Sequence, residues 1–196
     1  MNSKKRPVGR PPSKAATAHE DILSAVHALL QTTSVQDLTM ERIAKQAGVG
    51  KPTLYKWWTS KADIVLCMLQ ERVVPALDPP EGLSLEESIR IKARRLIDAF
   101  NGFFGTVIAG LIAEGQHDPE LLHKLNEEYV LPRRAGTVAD IRRAQAEGTF
   151  PPGIDPEIVV DAIFGSIYFH MITKLRPLTH EYADALVNNV LSLTRR

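Results

Sequence analysis

Cysteine occurs once in the 196 residues, at position 67. One cysteine forms neither an internal disulfide nor a multi-cysteine zinc site, which suits a reducing cytoplasm. Long apolar runs are also missing. The longest uncharged stretch, Ala99 to Ala113, has fifteen residues and is interrupted by Asn101 and three glycines, short of the ~20 that span a bilayer. The lysines near the N-terminus are followed by proline and polar residues, not by the apolar run of a signal peptide. The expectation is a cytoplasmic chain with no membrane partner. Net charge is nearly absent as well, with Lys+Arg 24 against Asp+Glu 23. What is abundant is hydrophobic residues, at 44%; over this length they build a real core and exclude wholesale disorder.

The balanced charge conceals a split. Residues 1–60 hold nine Lys/Arg and four Asp/Glu, net +5, whereas the remainder holds fifteen and nineteen, net −4. Only the front end is suited to a polyanion. Residues 1–16 carry five basic residues, no acid, and prolines at 7, 11 and 12, the composition of a flexible arm. Within it Gly9-Arg10-Pro11 resembles part of a minor-groove AT-hook core, which makes Arg10 a candidate DNA contact; a plain solvated tail is the alternative.

From Ala18 the pattern is helical. Ile22, Leu23, Val26, Leu29 and Leu30 mark one face of a helix to about Gln31. Thr39 is placed to cap a short helix over 40–47, closed by Gly48; Gly50 and Pro52 open another, and Ser60 caps a fourth from Lys61 to about Val74. Pro79-Pro80-Glu81-Gly82 punctuates the chain, and Ser84 with Glu87 fits a capping box ahead of Ile89, Leu96, Ile97, Phe100, Phe103 and Phe104. Asp118-Pro119 and Asp155-Pro156 start further helices, Pro132 kinks or restarts one, and Thr179 can cap the last. No strand pattern or internal repeat appears. The fold class expected is all-α, with about nine helices: a helix-turn-helix DNA-binding domain over 17–62 and a helical effector-binding and dimerisation domain over 63–196.

The helices around the Gly48 turn read as a helix-turn-helix, with Ala44 small where they cross and Ile43 and Leu54 facing inward. An ordinary helical hairpin has the same outline. What favours DNA binding is the second helix, which spends Lys51, Thr53, Tyr55, Lys56 and Trp57 within one short segment. Cations neutralise phosphates, and hydroxyls donate to phosphate or base edges.

At these residues the chain resembles the TetR (tetracycline repressor) family of transcriptional regulators. The resemblance rests on Leu38-Thr39-Met40-Glu41-Arg42-Ile43-Ala44, on Ala47-Gly48-Val49-Gly50-Lys51-Pro52-Thr53-Leu54-Tyr55, and on Trp58-Thr59-Ser60-Lys61. It covers roughly residues 17–65. After residue 80, Asp118-Pro119-Glu120-Leu121, Pro132-Arg133, Arg143-Ala144 and Glu147-Gly148 are similar to one C-terminal subtype of that family. The resemblance implies that Thr53, with Lys51 and Pro52, approaches base edges in the major groove. It also implies phosphate contacts from Tyr55, Trp57 and Lys61, and a capping position beside the backbone for Thr39. Gly50 stands where serine is frequent in the family, and Pro52 replaces a frequent glycine. Trp58 reads as core.

The helix from Glu157 to about Lys174 is apolar nearly all round, and the one from Thr179 to about Leu193 is similar. Their surplus apolar faces suggest a homodimer through both helices, as the resemblance also implies; burial within a monomer is the alternative. A homodimer pairs two recognition helices on a pseudo-palindromic double-stranded operator. Aromatics beside glycines at Phe100–Gly105 make an interhelical cavity conceivable for a partly apolar small-molecule effector. Asp98, Asn101, Phe104, Gln116, His117, Tyr129 and Tyr168 are candidate wall residues, with ordinary core packing as the alternative. No cofactor or metal is expected, since the six histidines show no HExxH or other metal spacing. Two rivals remain: a nonspecific architectural DNA binder using the arm, and an enzyme whose thiol nucleophile would be Cys67.

Overall fold

Thr39 shows how the local chemistry sets the first elements. Its backbone is extended (φ −131°, ψ 154°) and its hydroxyl accepts the Arg42 amide at 3.2 Å, satisfying one of the donors a helix start leaves open. At the other end of the helix, Gly48 takes φ +67° and closes it with its N–H on the Ala44 and Lys45 carbonyls, a left-handed cap that favours glycine.

The computed structural model describes residues 14–193, and the side chains of 17–192. Arg10 and the rest of the arm before residue 14 lie outside the described residues. The elements are α1 (Lys14–Leu30), α2 (Met40–Ala47), α3 (Lys51–Tyr55), α4 (Lys61–Arg72), α5 (Leu85–Asn101), α6 (Phe103–Gly115), α7 (Pro119–Leu125), α8 (Leu131–Ala146), α9 (Pro156–Val160), α10 (Ser166–Thr173) and α11 (His180–Leu193). A π turn over Asn126–Val130 carries α7 directly into α8, and another over Asp161–Gly165 carries α9 into α10. The described residues therefore contain nine continuous helical rods and no strand. The fold is all-α, as expected.

Two features depart from the sequence reading. Phe100, Phe103 and Phe104 follow one helical spacing, but the helix breaks at Gly102 and α6 leaves α5 at 81°. A side chain at Gly105 would place its Cβ 2.1 Å from the Phe100 carbonyl oxygen, so the sharp corner requires glycine there. Pro132 does restart the helix, as expected: it occupies the first turn of α8, after the π turn. The fourth helix stops at Arg72, and Pro75 belongs to a 3-10 turn, Val74–Leu77.

Helix α4 joins the front and rear of the molecule. Ala62, Ile64, Val65, Leu66, Met68 and Leu69 are all buried, packed against α1 on one side and the rear helices on the other. One continuous core runs from Ile22 to Leu191. No single helix among the described residues is long and apolar enough to cross a membrane; α5 and α6 pass only as a bent pair.

Candidate nucleic-acid interface and interhelical cavity

The helix-turn-helix is anchored from beneath. Ile43 and Leu54 are fully buried and Ala44 nearly so, which pins α3 to α2 and turns its remaining side chains outward. Lys51, Pro52, Tyr55 and Lys56 are exposed, as are Thr39 and Gly50, while Thr53 and Trp57 are half-buried. Tyr55, the last residue of this five-residue helix, is 55% exposed. The Lys51 ammonium pairs with Glu41 across the turn and holds that carboxyl below its ordinary range. Arg42 reaches back from α2 to the Asp37 carbonyl and the Thr33 hydroxyl, at 3.1 and 2.8 Å, fixing the loop before it.

Two residues expected on phosphate behave differently. Lys61 turns inward: its ammonium donates to the carbonyls of Val35 and Gln36 at 2.8 and 3.0 Å and pairs with Glu114 at 3.1 Å. Those acceptors lie within reach of its long stem, so its charge is spent joining α4 to the α1–α2 loop and to α6. Trp57 packs its ring tilted on His19 and edge-on to Trp58, at 5.9 and 5.5 Å between centroids. Trp58 is buried, with His19 stacked on it at 5.3 Å.

Behind α4 lies a cavity of about 540 Å³, within the range of small-molecule sites. Leu96, Ile108, Ile112, Leu122, Leu125 and Phe164 supply apolar wall, and Tyr129 and Tyr168 meet in it with their hydroxyls 3.2 Å apart. A wider cleft of about 1010 Å³ under the 78–84 loop has mixed walls with charges of both signs, among them Glu81, Glu86, Glu147 and Arg143. The smaller, apolar space has the character of a ligand site.

Of the seven wall residues expected from sequence, the structure brings Tyr129 and Tyr168 together. Phe104 stands behind them, its ring edge-on to Tyr129 at 5.7 Å. The other four point elsewhere. Asn101 donates to the Leu178 carbonyl at 2.8 Å, Asp98 meets His180 at 2.7 Å on the surface, and Gln116 folds back on Ile112; His117 is exposed. Asp98 and Asn101 sit in the last turn of α5, beside the corner at Gly102, and Gln116 and His117 follow the far end of α6. Sequence reasoning missed the charged lining, Asp78, Lys92, Arg133, Arg134 and Asp161. In the sequence alone, Pro132-Arg133 stands out only as a motif.

One further cluster is invisible in the spacing. His19, Cys67 and Glu71 bring a ring nitrogen, a sulfur and a carboxylate oxygen within 4.8 Å of one another, a donor set that could hold a divalent cation. Burial, followed by the hydrogen bond to Glu71, pushes the Cys67 thiol up to about 11. That is the wrong direction for a catalytic nucleophile.

Residues 22–68 match the family model "Bacterial regulatory proteins, tetR family", and residues 79–190 match "Tetracyclin repressor-like, C-terminal domain". The chain is 30% identical over 189 residues to the HTH-type transcriptional regulator YdeS of Bacillus subtilis, covering 96% of this chain and 93% of that one. It is 27% identical over 186 residues to the HTH-type regulator Rv1556 of Mycobacterium tuberculosis, covering 94% and 92%. Among solved structures, the TetR family transcription regulator SCO0332 superposes with a TM-score of 0.77 at 30% identity, covering 89% of this chain and 97% of that one. FadR from Bacillus subtilis, solved in complex with stearoyl-CoA, shares the fold at a TM-score of 0.69 and 19% identity, covering 89% and 98%.

Proposed function

We propose a mode of action from one premise: the chain belongs to the TetR family of bacterial regulatory proteins and is a helix-turn-helix transcriptional regulator. In our reading it acts in the cytoplasm as a homodimeric repressor, binds a pseudo-palindromic operator, and leaves it when a small molecule fills the cavity. Residues 17–62 read DNA, and 63–196 sense and dimerise.

The observation that carries the DNA-reading part is the exposure of Lys51, Pro52, Tyr55 and Lys56 on a helix whose inner face is locked by Leu54. In this reading Thr53, with Lys51 and Pro52, meets base edges, and Tyr55 and Lys56 meet phosphate. A stripe along α9–α10 supports the dimer. Ile158, Phe169 and Ile172 are 63%, 52% and 52% exposed, and Gly165, exposed between them, has open space above it. An apolar stripe of this kind is suited to a second copy of itself.

The cavity supports effector control. Its walls include the π turn after α7 and Val74, just past α4, so a ligand there touches elements joined to the DNA-reading end. A ligand that prefers one spacing of the two recognition helices shifts the population toward it. That FadR, a protein of the same fold, was solved with stearoyl-CoA is in keeping with an apolar occupant.

Selection of bound duplexes from random DNA tests the proposal. The expected outcome is a palindrome, with Thr53→Ala changing base preference in each half-site by about 1–3 kcal/mol for each base interaction removed. Binding without sequence preference that depends wholly on residues 1–16 would instead establish a nonspecific architectural role.

A further inference from the structure

Three cations line the cavity, and two of them are hydrogen-bonded to protein carboxylates. Lys92 lies 2.8 Å from Asp140 and 3.3 Å from the Thr137 hydroxyl. Arg134 pairs with Glu157 at 2.8 Å and also with Asp161. Arg133 differs. Its Nη1 is buried and has no hydrogen-bond partner; the facing carboxylate, Asp78, is 3.8 Å away and 67% exposed. A buried guanidinium N–H without an acceptor is a costly arrangement that a bound acceptor relieves.

A second donor stands beside it. Arg133 lies over the Tyr129 ring, with Cζ 5.8 Å from the centroid. The Tyr168 hydroxyl donates to that of Tyr129, so the pair consumes one proton and the Tyr129 proton remains to be given. Burial pushes both phenols above their ordinary range, so both are protonated donors at neutral pH. Away from the charged residues, Leu96, Ile108, Ile112, Leu122, Leu125 and Phe164 supply hydrocarbon wall.

We propose that the cavity binds a monocarboxylate with an apolar body, its carboxylate held by the Arg133 guanidinium and the Tyr129 hydroxyl. This rests on the reading of the cavity as the ligand site. The planar guanidinium fork matches a carboxylate. Arg133, whose ion pair with Asp78 is long at 3.8 Å and leaves Nη1 without a hydrogen bond, suits one added negative charge, whereas a dianion would bring a second charge against Asp78 and Asp161 in the same lining.

The test is calorimetric titration of the full chain with octanoate, decanoate and dodecanoate, each beside its primary amide, and with decyl phosphate. The carboxylates are expected to bind at least about tenfold more tightly than the amides, the difference a charged hydrogen-bond pair makes, and decyl phosphate more weakly than decanoate. Arg133→Gln should erase the preference for carboxylate over amide. Tyr129→Phe should weaken decanoate several-fold and leave decanamide unchanged, which keeps the proposal testable if Arg133→Gln misfolds. Equal binding of acid and amide, a preference that survives Arg133→Gln, or no binding by any of the series overturns it. Operator release is read separately. Carboxylates that bind without releasing DNA leave this inference standing and refute effector control, whereas amides that release DNA as well as acids do the reverse.

Discussion

The Lys124 ammonium lies 2.9 Å from Asp63 Oδ1 and ties the last turn of α7 to the first turn of α4. Asp63 has a second duty: its Oδ2 accepts the Thr59 and Ser60 amides, both at 2.9 Å, and the Thr59 hydroxyl at 2.6 Å, closing the capping box of α4. Burial works against ionisation of Asp63, but these hydrogen bonds and Lys124 outweigh it and hold the carboxyl below its ordinary range. The residue that orders the segment just after the recognition helix is therefore gripped by a helix whose Leu122 and Leu125 line the cavity.

From that tie we predict that Lys124→Gln leaves operator affinity nearly unchanged while blunting the response to any cavity ligand. Stability should fall by about 0.5–1 kcal/mol, because the pair is partly solvated. Asp63→Asn should cost more, since it also weakens the cap. The stability of wild type over Asp63→Asn is present at neutral pH, above the carboxyl's unfolded value near ~3.9, and should shrink as pH falls through the lower folded value. Denaturant melts at a series of pH values, together with operator titrations with and without ligand, measure all three effects.

Gly48 makes a separate test of the turn. A Cβ there meets nothing within 4 Å, yet φ is +67°, so the cost of a side chain is conformational and not steric. Gly48→Ala should destabilise by about 1 kcal/mol, lowering Tm by about 2–4 °C in a chain of this size. Gly48→Asn should cost less, since asparagine tolerates the left-handed region. Equal destabilisation by the two would mean that the turn is held by something other than its backbone angle.

Cys67 should react slowly. With its thiol pushed up to about 11, the thiolate is scarce at pH 8, and alkylation by iodoacetamide should rise roughly tenfold per pH unit up to that value. Removing the neighbouring negative charge by Glu71→Gln should lower the thiol's value and speed the reaction at pH 8. A fast reaction in wild type at neutral pH would contradict the assigned surroundings.

These features are legible in the sequence to different degrees. Thr39, Gly48, Ser60 and the Ser84–Glu87 box are readable because a cap joins residues three or four apart. Helical spacing likewise identifies Ile43 and Leu54 as inward-facing. The corner at Gly102 is not readable, since Phe100, Phe103 and Phe104 keep helical spacing across it; only the approach of Gly105 to Phe100 reveals the need for a break. The direction of Lys61 is hidden for another reason. A lysine stem reaches acceptors on any neighbouring element, and its partners Val35 and Glu114 lie 26 and 53 positions away. The meeting of His19 with Cys67 and Glu71, and of Arg133 with Tyr129 in the cavity, likewise depends on how helices cross.

Operator reading as proposed requires two copies of this chain joined through the α9–α10 stripe. The direct measurement is sedimentation of wild type and Phe169→Glu, alone and on a selected duplex. Placing a carboxylate on the exposed apolar stripe would bury an unpaired charge in the proposed interface. The expected result is two wild-type protomers per duplex, and a monomeric, folded Phe169→Glu whose operator affinity falls at least about a hundredfold, because each half-site is then bound without the help of its linked twin. A wild-type monomer that fills the whole palindrome, or a Phe169→Glu variant that binds as wild type does, would contradict it.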